Sequence, residues 1–230
     1  MEILKVENVS KSFDNKKIIN DVSFSVESGK IVGLLGKNGS GKTTILKMIN
    51  DLLTIDSGTI TIAGVKVSKE SKALVSFLPE RTYLNGNQTV KQVFDFFEDF
   101  YADFDRKRAE ELLKDLDLNI DASLLKMSKG MKEKVQLVLV MSRRAKLYIL
   151  DEPLGGVDPS TRDYIMKTIL KNFSEDSAMI ITTHLVSDVE KILDEVIFID
   201  KGKTVLSGSA DKLREEYNLS IDEIFRREIK

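Results

Sequence analysis

The chain has 230 residues, of which 42% are hydrophobic and 31% charged, and its formal net charge is -2. That balance suits one globular domain with subdomains, and it disfavours nucleic acid as the main partner, because a duplex binder carries a basic excess. With no cysteine, disulfides and thiolate metal sites are excluded, which fits a reducing compartment. The longest apolar runs, such as Val135 to Met141 and Met179 to Ile181, fall far short of a bilayer span. Met1-Glu-Ile-Leu-Lys-Val alternates and lacks the apolar stretch of a signal peptide. Any membrane role is therefore expected to run through a partner.

In chain order, strands are predicted at Ile3 to Val9, Ile18 to Val26, Ile31 to Leu35, Thr59 to Ile62 and Val65 to Val67. Asp14-Asn15, Ser28-Gly29, Gly58 and Gly64 supply the turns between them. A helix is predicted from Lys42 to about Leu53, with Ile45, Leu46, Ile49, Leu52 and Leu53 on one face. From about Thr89 to Met141 the pattern is helical. Over Thr89 to Phe104, Val93, Phe94, Phe97, Phe100, Tyr101 and Phe104 recur at spacings of three and four. These aromatics are expected chiefly to pack the insert's own core, and a further helix is predicted over Lys132 to Met141. Beyond Lys146, short apolar strands (Leu147 to Leu150, Met179 to Thr182, Val196 to Ile199) alternate with helices. Alternation of that kind predicts an α/β fold with a parallel sheet covered on both faces. The tail, Asp211 to Lys230, reads as charged amphipathic helix.

Gly36-Lys37-Asn38-Gly39-Ser40-Gly41-Lys42-Thr43, followed by Thr44, stands between an apolar strand and an amphipathic helix. Two glycines separated by four residues and followed by lysine and threonine form a phosphate loop in that setting. Glycines let successive N–H groups turn inward as an anion nest, and the helix N-terminus adds partial positive charge. Lys42 reaches the outer phosphates as a point charge, and the Thr43 hydroxyl can ligate Mg2+. By itself the loop does not separate kinases, GTPases and transporter motors.

The strand Leu147 to Leu150 ends in Asp151-Glu152-Pro153. In a phosphate-loop fold an acid at this strand end holds Mg2+, directly or through water, which is the role expected for Asp151. Glu152 then points to where the attacking water must sit, and its carboxylate can accept a proton.

With these residues in view the chain resembles the ATP-binding cassette (ABC) family over essentially its full length. Leu154-Gly-Gly-Val-Asp158-Pro159 looks like that family's D-loop. Met127-Ser128-Lys129-Gly130-Met131 stands where the signature sequence falls, and Ile180-Ile-Thr-Thr-His184 ends in the position of the switch histidine. The resemblance implies a phosphate-loop NTPase core with an N-terminal antiparallel β subdomain and an inserted helical subdomain. It implies one nucleotide-binding domain over 1–230, with the insert at about 81–142.

It also implies roles for single residues. Phe13 would stack on adenine, with Ile18 as an apolar ledge; stacking needs only an aromatic face, so phenylalanine can replace tyrosine. His184, the single histidine, would contact the γ-phosphate and fix its geometry relative to Glu152. Ser128, Lys129 and Gly130 would meet the γ-phosphate of a nucleotide held by a second nucleotide-binding subunit. Glu80, in Val75-Ser-Phe-Leu-Pro79-Glu80, replaces the usual glutamine as a Mg2+ ligand and adds charge. Met131 cannot reproduce the hydrogen bonds of the usual signature glutamine. Both departures resemble bacterial exporters and resistance-type transporters. The implied protein is an Mg-ATP-driven motor, cytoplasmic and peripheral on the inner face of the cell membrane, serving separate transmembrane permease subunits. A non-transport ABC ATPase acting with nucleic acid or ribosomes is the alternative.

Overall fold

Apolar residues recur along Glu2–Phe13 (β1) and Lys16–Glu27 (β2), and these two strands form an antiparallel hairpin. Asp14 and Asn15 make its two-residue turn with φ of 47° and 63°, the left-handed pair that matches strand twist and that short polar side chains tolerate. A computed structural model describes residues 1–155 and 159–229, with the backbone alone at 159 and 160. Sequence alternation suggested that β1 stops at Val9. Instead the register shifts between Val6 and Val9, Asn8 takes φ of 49°, and the strand continues to Phe13. The bulge moves apolar residues to the other phase, which hides the continuity.

Ile31–Leu35 (β3) leads into Lys42–Ile49 (α1). The helix ends short of the expected Leu53. Asn50 turns its side chain back to the Leu46 carbonyl at 2.8 Å, Asp51 adopts φ of 51°, and Leu52 is left exposed. Ser57–Ile62 (β4) and Val65–Lys66 (β5) complete the antiparallel sheet in the order β2-β1-β4-β5. The second sheet draws on Val75–Leu78 (β6), Leu147–Asp151 (β7), Ala178–Thr183 (β8), Glu195–Asp200 (β9) and Lys203–Ser209 (β10). Its order is β10-β9-β3-β8-β7-β6, with β3, β7, β8 and β9 parallel and β10 antiparallel to β9.

β3, β7 and β8 are buried at every residue, as expected of strands covered on both faces. Val6 and Ile62 from one sheet, Leu34, Ile149 and Ile180 from the other, and Leu46 and Ile49 from α1 share one core. β6 and β10 are strands that the sequence pattern did not predict. The tail is two helices, not one, after the short Val186–Val189 (α6). Asn218 takes the left-handed conformation between Ala210–Tyr217 (α7) and Ile221–Glu228 (α8), and Ser220 with Glu223 forms a capping box that restarts the chain.

These elements belong to a unit of Met1–Phe77, Lys146–Pro153 and the chain from Ser174 on. A second unit comprises Leu78–Ala145 and Leu154–Phe173. It contains Val90–Phe100 (α2), Arg106–Asp115 (α3), Lys129–Met141 (α4) and Pro159–Asn172 (α5). Thr89 and Gln92 close a capping box at the start of α2. Phe94, Phe97 and Phe104 are buried together, with centroids 6.0 Å apart for Phe94–Phe104 and 5.7 Å for Phe97–Phe104. Phe100 departs from the expected core set. It is exposed, stacked on the exposed Phe96 at 5.7 Å.

Arg143 fastens the segment between α2 and α3 to the end of α4. Its guanidinium meets both oxygens of Asp103, at 3.0 and 3.1 Å, and lies 3.9 Å from the Tyr101 ring centroid. The arginine side chain is 3% exposed, so removing it strands a part-buried carboxylate. Arg143→Ala is expected to destabilise the protein by about 3 kcal/mol, read as a lower urea midpoint. At the start of α3, Asp105 accepts from the Arg108 N–H at 3.1 Å and from Arg144, which together hold its carboxyl below the usual value. The stability this contributes is present above the unfolded-state pKa and is lost as pH falls through the lower folded value.

Candidate active site

The loop after β3 is shaped by three glycines. A Cβ at Gly36 would collide with the Ile199 carbonyl and the Ser40 hydroxyl. Gly39 and Gly41 have φ of 80° and 113°, where a side chain is strained, and a Cβ at Gly41 would also press on Ile19. Lys42 is buried, and its Nζ donates to the carbonyls of Gly36 at 2.7 Å and Lys37 at 3.2 Å. Lys37, Asn38 and Gly39 are exposed on the loop's outer edge, and Thr44 is half-buried. Gly41 brings no side-chain cap to α1, so the first N–H groups of the helix remain suited to an anion. The buried Ser40 hydroxyl has no hydrogen-bond partner among the described residues. A glycine-shaped loop with a buried ammonium and an unsatisfied hydroxyl fits a nucleotide polyphosphate.

The turn between β9 and β10 braces the loop. Gly202, with φ of 74°, donates to the Ser40 carbonyl at 2.9 Å, and its own carbonyl accepts from Asn20 of β2 at 2.8 Å. A Cβ at Gly202 would strike the Ile18 carbonyl. Ile18 is half-buried on β2 and packs on the core, and Phe13 presents a 44%-exposed ring at the end of β1. The Lys11 ammonium lies 5.5 Å from the Phe13 centroid and pairs with Asp56 at 2.7 Å.

Parallel pairing of β7 and β8 sets Asp151 opposite Thr182. The Thr43 hydroxyl approaches Asp151 Oδ2 at 3.4 Å, while Thr182 donates to Oδ1 at 2.5 Å. Among the described residues no cluster of three or more His, Cys, Asp or Glu is arranged as a metal cage. A hydroxyl beside one carboxylate suits Mg2+, which retains waters and takes phosphate oxygens in preference to an all-protein shell. Glu152 leaves the strand at φ of 52°, a conformation that costs about 1–2 kcal/mol for a residue with a Cβ. Its N–H donates to the Thr182 carbonyl and hydroxyl, each at 3.1 Å. The Glu152 side chain is 12% exposed, and its Oε2 lies 2.9 Å from His184 Nδ1 and 3.4 Å from the His184 N–H. The imidazole is itself half-exposed.

Lys42, Thr43, Asp151, Glu152 and His184 therefore stand in one unit, linked either to one another or to the same loop. Thr182 is the residue that sequence reasoning missed; its only signal was a hydroxyl closing an apolar strand. In the second unit, Ser128 caps α4 by accepting from the Met131 N–H at 3.2 Å. Lys129 is exposed, 3.6 Å from Glu133, and a Cβ at Gly130 would meet open space. Glu80 is exposed just after β6. Asp158, the acid expected in the D-loop, lies outside the described residues, as do Gly156 and Val157.

Residues 19–155 match the ABC transporter family. The chain belongs to that family. The ABC transporter ATP-binding protein YtrB of Bacillus subtilis (strain 168) is 33% identical over 94% of this chain and 75% of its own length. The linearmycin resistance ATP-binding protein LnrL of the same organism is 32% identical, over 92% of this chain and 70% of its own. A solved ATP-binding subunit of an ABC transporter superposes with a TM-score of 0.90 at 26% identity, covering 98% of both chains. This ABC protein is accordingly the ATP-binding subunit of a transporter, and its reaction is ATP hydrolysis. Membership of the ABC transporter family favours that reading over a non-transport ATPase.

Proposed function

We propose that this ABC ATPase holds Mg-ATP on its phosphate loop and hydrolyses it with Glu152 as base, as one of two cooperating nucleotide-binding subunits. The observation that carries the reading is the contact of Glu152 with His184 beside an Asp151 carboxylate that faces Thr43. Adenine rests on Phe13 with Ile18 beneath it. The N–H groups of residues 37–44 and the Lys42 ammonium hold the phosphates, and the Ser40 hydroxyl gains a partner there. Thr43 and Asp151 would hold Mg2+, and Glu80 is a further candidate ligand by the family resemblance; the ion, when bound, would offset charge on the phosphates. Glu152 takes a proton from water as the water oxygen bonds to the γ-phosphorus. The bond from that phosphorus to the β–γ bridging oxygen breaks, and ADP leaves with the electron pair. His184 keeps Glu152 aimed.

Ser128, Lys129 and Gly130 act in trans on the partner subunit's nucleotide. No helix among the described residues is long and apolar enough to cross a membrane. By the family resemblance, the work is passed to transmembrane permease subunits at the inner face. Export is the direction favoured by the likeness to a resistance protein.

The trans arrangement has a direct test. Ser128→Arg is expected to bind ATP at the parent affinity yet hydrolyse it at least ~10-fold more slowly, because the bulky cation blocks closure over the partner's phosphate. Mixing it with Lys42→Ala subunits restores part of the phosphate release, since one intact loop then faces one intact Ser128. No recovery on mixing, together with lost ATP affinity in Ser128→Arg alone, would place Ser128 in its own subunit's pocket.

A further inference from the structure

Thr182 is fully buried, and a hydroxyl in such a place is retained only when its hydrogen bonds are made. Two of its contacts fix the direction of its proton. A carboxylate accepts and a peptide N–H donates, so the proton turns toward Asp151 Oδ1, at 2.5 Å, and a lone pair receives the Glu152 N–H, at 3.1 Å, which that N–H shares with the Thr182 carbonyl. One side chain thereby holds both consecutive acids. With Oδ1 held, Asp151 keeps Oδ2 turned to Thr43. The bond to the Glu152 N–H supports the left-handed turn, φ of 52°, that sends its carboxylate to His184.

We propose that Thr182 is a positioning residue for hydrolysis, aligning the Mg2+-side carboxylate of Asp151 with the base Glu152 through a single hydroxyl. The inference rests on the roles given above to those two acids. It adds a residue that touches neither nucleotide nor water and acts only by fixing the relative geometry of two groups that do. Val is close to Thr in size, so Thr182→Val deletes the hydrogen bonds while keeping the strand buried and β-branched. A misplacement of the reacting groups by a fraction of an ångström acts on the rate and not on nucleotide affinity, which the loop and Phe13 determine.

Two readouts test it together. In steady-state hydrolysis, Thr182→Val is expected to lower kcat about 10²-fold with KM for Mg-ATP changed less than about threefold, whereas Thr182→Ser stays within about threefold of the parent kcat. In nucleotide-free protein the Glu152 N–H keeps the Thr182 carbonyl as its second acceptor, so amide hydrogen exchange there should quicken about threefold in the Val variant and stay at the parent rate in the Ser variant. A Thr182→Val protein with parent kcat and parent exchange at Glu152 overturns the proposal. So does a Ser variant as slow as the Val variant, which would make the site one of packing. If Val does not yield folded protein, Thr182→Ala makes the same deletion. Failure of both to fold would show a folding requirement and reject the positioning role. Glu152→Gln run alongside separates the two levels. Full activity there fails the functional reading itself, while loss there with an unaffected Thr182→Val fails this inference alone.

Discussion

Glu152→Gln is expected to cripple turnover and leave nucleotide binding intact. The substitution keeps the shape of a side chain that is 12% exposed and sits 2.9 Å from His184 Nδ1. What it removes is the capacity to take a proton from water. A positioned base contributes 10²–10⁴-fold, and kcat is expected to fall about 10³-fold. Affinity for Mg-ATP stays near that of the parent, since neither the loop nor Lys42 is touched. The stalled protein should then accumulate as an ATP-bound dimer. Size-exclusion chromatography with Mg-ATP reads the dimer, and phosphate release reads the rate. Hydrolysis at the parent rate would remove Glu152 from the role of base.

Lys42→Ala acts one step earlier. The Lys42 ammonium is buried and held over the loop by the carbonyls of Gly36 and Lys37, so its charge is already aimed before nucleotide arrives. Hydrogen bonds to charged groups contribute about 1.5–3 kcal/mol each. Loss of one such contact at the outer phosphates should weaken ATP binding about 10²-fold. Titration calorimetry checks it, with ADP expected to suffer less than ATP if the ammonium reaches the γ-phosphate. Undiminished ATP affinity would sink the assignment of the loop.

The phosphate loop was legible because its conformation is written locally: Gly39 and Gly41 need positive φ, and Gly36 has no space for a Cβ. The buried parallel strands were legible as short apolar runs at Ile31–Leu35, Leu147–Leu150 and Met179–Thr182, within one residue of their observed ends. β10 escaped because Lys203–Ser209 is partly exposed along its length and ends in Ser-Gly-Ser, which reads as turn. The break at Asn218 was encoded by the capping box of Ser220 and Glu223 but was masked by amphipathic charge on both sides. Thr182 was illegible for a different reason. Its partners Asp151 and Glu152 are 31 and 30 residues away in sequence, and they meet it only through the register of β7 on β8. A motif records which residues are present, whereas a register records which residues meet.

The Gly202 peptide joins two ends of the proposed nucleotide bed. Its carbonyl accepts from Asn20, two residues from Ile18 on the base side, and its N–H reaches the Ser40 carbonyl on the phosphate side. The link from Asn20 to Ser40 therefore runs through one residue, whose N–H and C=O lie in two successive peptide planes joined at a Cα with φ of 74°. A tilt of β2 at Ile18 is expected to be passed through Gly202 to the loop at Ser40. On the proposed site, selectivity for the base and grip on the phosphates would in this way be mechanically coupled.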